Sequence, residues 1–484
     1  MSSRIKKTVA FFMSLALAII LLYVNPVATN AITHKDIENL TLEIPDGTRF
    51  TVKTIHYSYF NNRFVSLRDM AYALGGTDKK FAVSVSGGEI VIKTGSKYES
   101  AGGENTGFDT SEYTTEGLKI NPIKIDGREC RYYTFLGKNA EGINDAFISI
   151  ADLAMLVDVD LGIDPETGIL KMGAGDFCID MDAYEKQGFY YEVSSALVGD
   201  ARTGTVFSAF NEDVSVSCAS TTKLMTYLCI MDAVSAGEAS LEDTVVISEK
   251  AAALSQTSDG VIKMTAGQKA GLGDMLYAIL LPSSNESALA VAEHIDGSEE
   301  EFVKRMNLKV KELNLSDSTV FFNCHGLPEY SDTVAASKIQ NRISAYDMFV
   351  LSAHILNKYP EIKEITSTQK YKLEAFGLEI ENTNPLLYNM PGIVGLKTGT
   401  TKASGASLVS AYDYEDEDGI HTIVAVEYGA EDATVRNTVS EVLIRYGIQC
   451  LEKAGSAEAN EEAGFPGTYE ELLKRIVLFK SRSR

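Results

Sequence analysis

Three short motifs, in a fixed order along the chain, constrain its fold and chemistry more than any other feature. An SxxK motif lies at Ser220–Lys223, an SxN motif at Ser283–Asn285 and a Lys-Thr-Gly motif at Lys397–Gly399. Each is weak evidence alone, since SxxK recurs at Ser367–Lys370 and Lys-Thr-Gly at Lys93–Gly95. The ordered set is a strong signal, because chance would have to supply all three motifs in suitable contexts.

The first motif has the local pattern of a nucleophilic pair. Leu224, Leu228 and Met231 recur at helical spacing and predict a helix with a buried face. Ser220 and Lys223 are three residues apart near the start of that helix, so their side chains share one face. A serine hydroxyl needs a base, and a lysine can serve if burial or a second cation lowers its pKa towards neutrality.

The flanking segments give the motifs a family resemblance. The set resembles the active-site-serine penicillin-recognising enzymes. It is most similar to the serine-type D-Ala-D-Ala carboxypeptidases, the low-molecular-mass penicillin-binding proteins of peptidase family S11. The segments that carry this likeness are residues 219–226, 292–298, 322–328 and 344–348. The resemblance covers about 190–450. It implies an α+β fold of the penicillin-binding-protein/β-lactamase type, an antiparallel sheet covered by helices with a helical subdomain around 230–390.

The resemblance also implies a role for each residue of the first two motifs. Ser220 attacks the carbonyl of the penultimate D-Ala, and Lys223 takes the serine proton. Ser283 and Asn285 line the cleft. Ser283 is expected to pass a proton to the leaving amine, and Asn285 to position the substrate amide and Lys223. Ser284 stands where the family usually has glycine.

The third motif and one arginine are expected to bind the substrate. Lys397 would lower the pKa of Lys223 and attract the terminal carboxylate, and Thr398 would hydrogen-bond that carboxylate. Gly399 completes the motif, and the backbone N–H groups of Ser220 and Thr400 would form the oxyanion hole. Arg436 matches a family arginine that faces the carboxylate; the alternative is a surface cation on a helix.

The predicted function is removal of terminal D-Ala from peptidoglycan stem peptides, with β-lactams as covalent inhibitors. One alternative is a serine β-lactamase, but Val310 stands where the deacylating Glu of an ExxLN-type loop is expected. The other is a noncatalytic protein that binds the wall or senses β-lactams. His325 could suggest a triad base, but the family uses lysine in that role.

The N-terminal module, residues 34–172, contains an internal repeat. Phe64–Ala71 resembles Phe147–Ala154, and in each copy a short strand is predicted to run into a capped helix. The module resembles the copper amine oxidase-like N-terminal domain, a stalk found on exported bacterial proteins. Despite that name it offers no cluster of metal ligands, and the whole chain lacks CxxC and HExxH. No metal and no other cofactor is expected.

Sequence patterns at the two ends of the chain predict the cellular location of the protein. Residues 1–31 have the basic, apolar and small-residue pattern of a secretory signal peptide, with an uncleaved anchor as the alternative. The large domain, residues 177–450, is followed by a polar linker and a basic amphipathic tail over 453–484. Residues 468–484 of that tail are expected to contact the membrane surface. A net charge of −23 argues against nucleic acid as a partner. The expected location is outside the cytoplasm.

Overall fold

A computed structural model describes residues 35–57, 62–86, 88–107, 114–139, 142–164, 167–177, 193–330 and 338–455. The predicted signal peptide (1–31) and basic tail (468–484) lie outside these residues. Among the residues described, no helix is long and apolar enough to cross a membrane.

The N-terminal module is built on one large sheet. Its strands are β1 (Lys35–Glu43), β2 (Arg49–Tyr57), β3 (Asn62–Ser66), β4 (Phe81–Ser86), β5 (Glu89–Thr94), β6 (Thr114–Thr115), β7 (Lys119–Ile125), β8 (Arg128–Lys138), β9 (Asn144–Ser149), β10 (Leu161–Ile163) and β11 (Leu170–Met172). The strand order is β10-β11-β1-β2-β3-β9-β8-β7-β5-β4, with β6 beside β8. Strands β4 and β5 pair antiparallel at one edge of this sheet.

The internal repeat forms the centre of this sheet. In each copy a strand leads into a helix, β3 into α1 (Leu67–Ala73) and β9 into α2 (Ile150–Leu156). Ser66 and Ser149 cap these helices by accepting hydrogen bonds from the N–H groups of Asp69 and Asp152. Such a cap contributes about 1 kcal/mol. The two strands pair antiparallel, with Ser66 opposite Phe147, so the two copies face each other across the pairing.

The large domain has an antiparallel sheet in the order β13-β12-β24-β23-β22. The described residues also form four separate two-stranded sheets, β14/β19, β15/β16, β17/β18 and β20/β21. Its strands are β12 (Ser195–Asp200), β13 (Val206–Phe210), β14 (Val216–Ser217), β15 (Thr244–Val246), β16 (Lys269–Gly271), β17 (Glu329–Tyr330), β18 (Lys338–Ile339), β19 (Arg342–Ile343), β20 (Lys370–Leu373), β21 (Leu378–Glu381), β22 (Ile393–Thr401), β23 (Gly405–Asp416) and β24 (Gly419–Ala430).

Helices cover both faces of this sheet. They are α3 (Lys223–Ser235), α4 (Glu249–Ser255), α5 (Leu272–Leu280), α6 (Asn285–Asp296), α7 (Glu299–Glu312), α8 (Ala345–Lys358), α9 (Ile362–Thr366), α10 (Leu386–Asn389) and α11 (Ala433–Gly455). Side chains alternate across the sheet. Val198 and Ala425 pack towards α11, whereas Leu197 and Val426 join the core around α3 and α8. The α+β architecture with an antiparallel sheet agrees with the prediction.

Candidate active site

Ser220 lies in a tight turn that leads into α3. This turn is a 3₁₀ helix, Ala219–Thr222, and Ala219 has φ +45°, a costly conformation for a residue with a side chain. The Thr221 hydroxyl donates to the Cys218 carbonyl oxygen at 2.7 Å and lies 3.0 Å from the Tyr428 hydroxyl on β24. The turn is therefore attached to the central sheet, and Ser220 is held half-buried at the start of the helix.

Lys223 connects the first two motifs. Its Nζ donates to Ser220 Oγ at 3.2 Å, to Asn285 Oδ1 at 2.7 Å and to the backbone oxygen of His325 at 2.8 Å. The side chain is fully buried, and burial lowers the pKa of Lys223 to about 7. Of the two causes that the sequence analysis named for a lowered lysine pKa, burial and a second cation, burial is the first. A substantial neutral fraction of this amine therefore contacts the serine oxygen near neutral pH.

The second motif begins α6. Asn285 is the first residue of that helix, and its Nδ2 donates to the Asp259 carbonyl oxygen at 2.8 Å, which fixes the amide so that Oδ1 faces Lys223. Ser284 is the N-cap, with its Oγ accepting from the Ser287 N–H at 3.1 Å, a bond that glycine would not make. Ser283 has φ +70°, and its buried Oγ has no hydrogen-bond partner among the described residues.

The third motif lies on β22, against the nucleophile turn. A Cβ built on Gly399 would be 3.2 Å from the Cys218 oxygen and 3.3 Å from the Ala219 Cβ, so a side chain here would crowd the turn. Lys397 is buried and donates to the Thr398 carbonyl oxygen at 3.1 Å. Burial, and then the positive charges of Lys223 and Arg436, hold the pKa of Lys397 well below its usual value.

Two predicted binding residues have partners that the motifs did not indicate. Thr398 Oγ1 lies 2.6 Å from the hydroxyl of Thr383. Arg436 is buried on α11, and its Nε donates to Asn437 Oδ1 at 3.0 Å. The alternative of a surface cation is therefore wrong. Thr400 is exposed at the end of the motif.

His325 contributes its backbone to the site, not its ring. The ring Nδ1 accepts from the Leu327 N–H at 3.1 Å, and Nε2 lies 3.4 Å from Glu299 Oε1. Burial lowers the pKa of His325 to about 4, so the ring is neutral. The next residue, Gly326, has φ +91° and packs directly on the Ala219 carbonyl.

Glu286 is the main residue that sequence reasoning missed. It follows Asn285, is fully buried and accepts hydrogen bonds from the backbone N–H groups of Val261 and Ile262. It thereby fixes the segment that carries Asp259, the partner of Asn285. Only its position beside the SxN motif gave a signal. Val310, where a deacylating Glu was sought, is an apolar core residue on α7.

The assembled site joins a nucleophile, a base and two buried cations. Lys223 is hydrogen-bonded to Ser220 and Asn285, and the buried Lys397 lies close enough to Lys223 and Arg436 for their positive charges to lower its pKa. This arrangement suits attack on a carbonyl whose substrate also carries an anionic group. In the described part of the chain, no group of three or more His, Cys, Asp or Glu residues is placed to hold a metal ion.

Comparison with known proteins gives one consistent result. A profile of the peptidase S11 family, described as D-alanyl-D-alanine carboxypeptidase, matches residues 183–427. D-alanyl-D-alanine carboxypeptidase DacF of Bacillus subtilis is 35% identical over 265 residues, 54% of this chain and 64% of that protein. D-alanyl-D-alanine carboxypeptidase DacD of Salmonella typhimurium is 31% identical over 254 residues, 52% of this chain and 61% of that protein. The chain thus spans less than two thirds of these relatives.

A solved structure is similar as well. The peptidoglycan synthesis regulatory factor (PBP3) from Streptococcus pneumoniae is 29% identical, with a TM-score of 0.49, and the match covers 53% of this chain and 73% of that one.

Proposed function

Because this chain belongs to the peptidase S11 family of D-alanyl-D-alanine carboxypeptidases, we propose that it removes terminal D-Ala from peptidoglycan stem peptides through an acyl-enzyme on Ser220. The observation that carries this proposal is the set of hydrogen bonds from Lys223 Nζ to Ser220 Oγ and Asn285 Oδ1. A neutral lysine in that position is a base already in contact with the nucleophile.

The proposed acylation starts with proton transfer. Ser220 Oγ attacks the carbonyl of the penultimate D-Ala as Lys223 takes the serine proton. The backbone N–H groups of Ser220 and Thr400 are proposed to stabilise the developing oxyanion, a contribution that is typically about 10²–10³ in rate for one donor. Ser283 is proposed to relay the proton to the leaving amine, since its buried Oγ has no partner among the described residues. Water then hydrolyses the acyl-enzyme.

Substrate binding is proposed to use the buried cations. The terminal carboxylate of the stem peptide carries a negative charge, and Lys397 and Arg436 lie close enough for Arg436 to lower the pKa of Lys397. The positive charges of Lys397 and Arg436 repel each other, and an anion bound between the two side chains would relieve that repulsion. Thr398, paired with Thr383, offers a hydroxyl to the same carboxylate. β-Lactams carry a carboxylate beside a reactive amide, so they are proposed to acylate Ser220 too.

The test is D-Ala release from a peptide ending in D-Ala-D-Ala, with wild type and Ser220→Ala measured together. We expect release by the wild type and none above background by the variant. Nitrocefin turnover is measured in parallel. Rapid turnover would favour the lactamase alternative, and penicillin binding without D-Ala release would favour the sensor.

The acylation rate is expected to rise with pH through about 7. The neutral form of Lys223 is the base, and its pKa is about 7. At one pH unit below that pKa only about a tenth of the lysine is neutral, so acylation should fall to about a tenth of its plateau. The second-order rate of penicillin acylation between pH 5 and 9 measures this. A rate that is still rising about tenfold per pH unit between pH 8 and 9, or one that declines as pH rises across this range, would contradict the role of Lys223.

We propose that the protein is located outside the cytoplasm, where it acts on the cell wall. This rests on the family's substrate and on the predicted signal peptide over 1–31. Membrane contact through residues 468–484 remains a proposal on the sequence pattern.

A further inference from the structure

We propose that the N-terminal module is a positioning element of the active site: it joins α10 to α11 and thereby fixes the separation of Lys397 and Arg436. This inference rests on the proposed function and deepens it, because it concerns the binding of the substrate carboxylate. A module that only served as a spacer would need no buried contact with these two elements.

The first contact fixes α11. The Tyr132 hydroxyl on β8 lies 3.2 Å from Glu441 Oε2 and 3.3 Å from Oε1, and both residues are buried. Thr438 Oγ1 donates to Asp152 Oδ1 of α2 at 2.9 Å. Arg436 lies within two turns of both contact residues on the same helix, so a shift of α11 would move its guanidinium.

An apolar contact supports these hydrogen bonds. Met155 on α2 is buried in the same hydrophobic cluster as Val435, Val439 and Val442 of α11. The module therefore shares a core with the large domain at this helix. Breaking this contact would expose apolar surface and leave Glu441 and Asp152 without these partners.

The second contact fixes the approach to β22. The Arg131 N–H donates to Asn389 Oδ1 at 2.7 Å, and Arg128 Nη1 donates to the Asn389 carbonyl oxygen at 2.7 Å. Asn389 ends α10, just before the strand that carries Lys397. Asn384 lies just before α10 in the chain, and its Nδ2 donates to the Gly395 carbonyl oxygen of β22 at 3.1 Å. This hydrogen bond connects the start of α10 to β22.

The electrostatics agree with this placement. Burial lowers the pKa of Arg436, and Tyr133, also on β8, partly opposes this shift together with Glu427 and Asp432. A side chain of the module is therefore part of the polar surroundings of Arg436. Its neighbour Tyr132 supplies the hydrogen bond to the helix.

The test compares a substrate that needs the two cations with a ligand that does not. The variant is Tyr132→Phe/Asn389→Ala, and neither residue is in the proposed catalytic or binding set. The KM for a peptide ending in D-Ala-D-Ala is expected to rise about tenfold, the size of effect expected from lost buried hydrogen bonds, with kcat within about twofold. The inhibition constant of phenylboronic acid, which reacts at the serine oxygen and lacks a carboxylate, should change less than about twofold, because the nucleophile pair is intact.

Lys171→Ala is the matched control, because it removes an exposed ion pair with Asp164 on the far strands of the module and should change neither constant. Tyr132→Phe alone is the milder variant if the double variant does not fold.

An unchanged KM for the peptide, or equal weakening of peptide and phenylboronic acid binding, would overturn the inference. If the wild type releases no D-Ala, the proposed function fails instead. Faster hydrogen exchange of residues 386–389 and 433–441 in the variant then supports positioning, and unchanged exchange overturns it.

Discussion

Replacement of Lys223 by methionine is expected to lower D-Ala release by about 10²–10⁴-fold, the contribution typical of a general base. The amine contacts Ser220 Oγ directly, and no other base among the described residues is hydrogen-bonded to that oxygen. Methionine has a similar length and no charge, so it should fill the buried space without unfolding the protein. Steady-state D-Ala release and thermal unfolding measure the two effects.

Lys223→Arg is the informative companion to this variant. Arginine keeps the positive charge but does not give up its proton near neutral pH, so it should be about as inactive as methionine. Activity of the arginine variant within about tenfold of wild type would contradict proton transfer by Lys223 and would leave it only an electrostatic role.

Gly326→Ala is expected to lower D-Ala release by about 10²-fold or more, although Gly326 bears no side chain and takes no part in the chemistry. A Cβ at this position would lie 1.9 Å from the Ala219 carbonyl oxygen and 3.0 Å from the Ser220 nitrogen. The nucleophile turn would have to move, and Ser220 with it. The φ of +91° adds backbone strain for any residue other than glycine.

Gly237→Ala separates the backbone strain of a positive φ from the displacement of the nucleophile turn. Gly237 has φ +73°, but a Cβ there meets nothing within 4 Å. It should cost about 1–2 kcal/mol of stability and leave D-Ala release unchanged. D-Ala release and the free energy of unfolding are compared for the two variants. Release by Gly326→Ala at half the wild-type rate or more would contradict the predicted displacement of the turn.

The motifs predicted the centre of this site because each is a local feature. Ser220 and Lys223 are close by helix geometry alone, and the internal repeat appeared in the paired strands β3 and β9. The family resemblance then assigned roles in the site to Asn285 and to the Lys-Thr-Gly motif. The copper amine oxidase-like resemblance of the module remains a prediction.

Long-range contacts were beyond sequence reasoning. Thr383 meets Thr398, Glu286 holds the segment before Ile262, and Tyr132 meets Glu441, in each case because the tertiary fold brings distant segments together. The sequence predicts burial and a second cation as causes of a lowered Lys223 pKa, but it does not rank the two. Burial depends on the whole packed core around α3, and a pattern of nearby charges does not report it.

Mass spectrometry of the full chain after incubation with benzylpenicillin is the most direct test of the proposal that Ser220 forms the acyl-enzyme. We expect a mass increase of one penicilloyl group, mapped to the peptide that contains Ser220 and absent from Ser220→Ala. A wild-type protein that stays unmodified, or a penicilloyl group mapped to another residue, would contradict it.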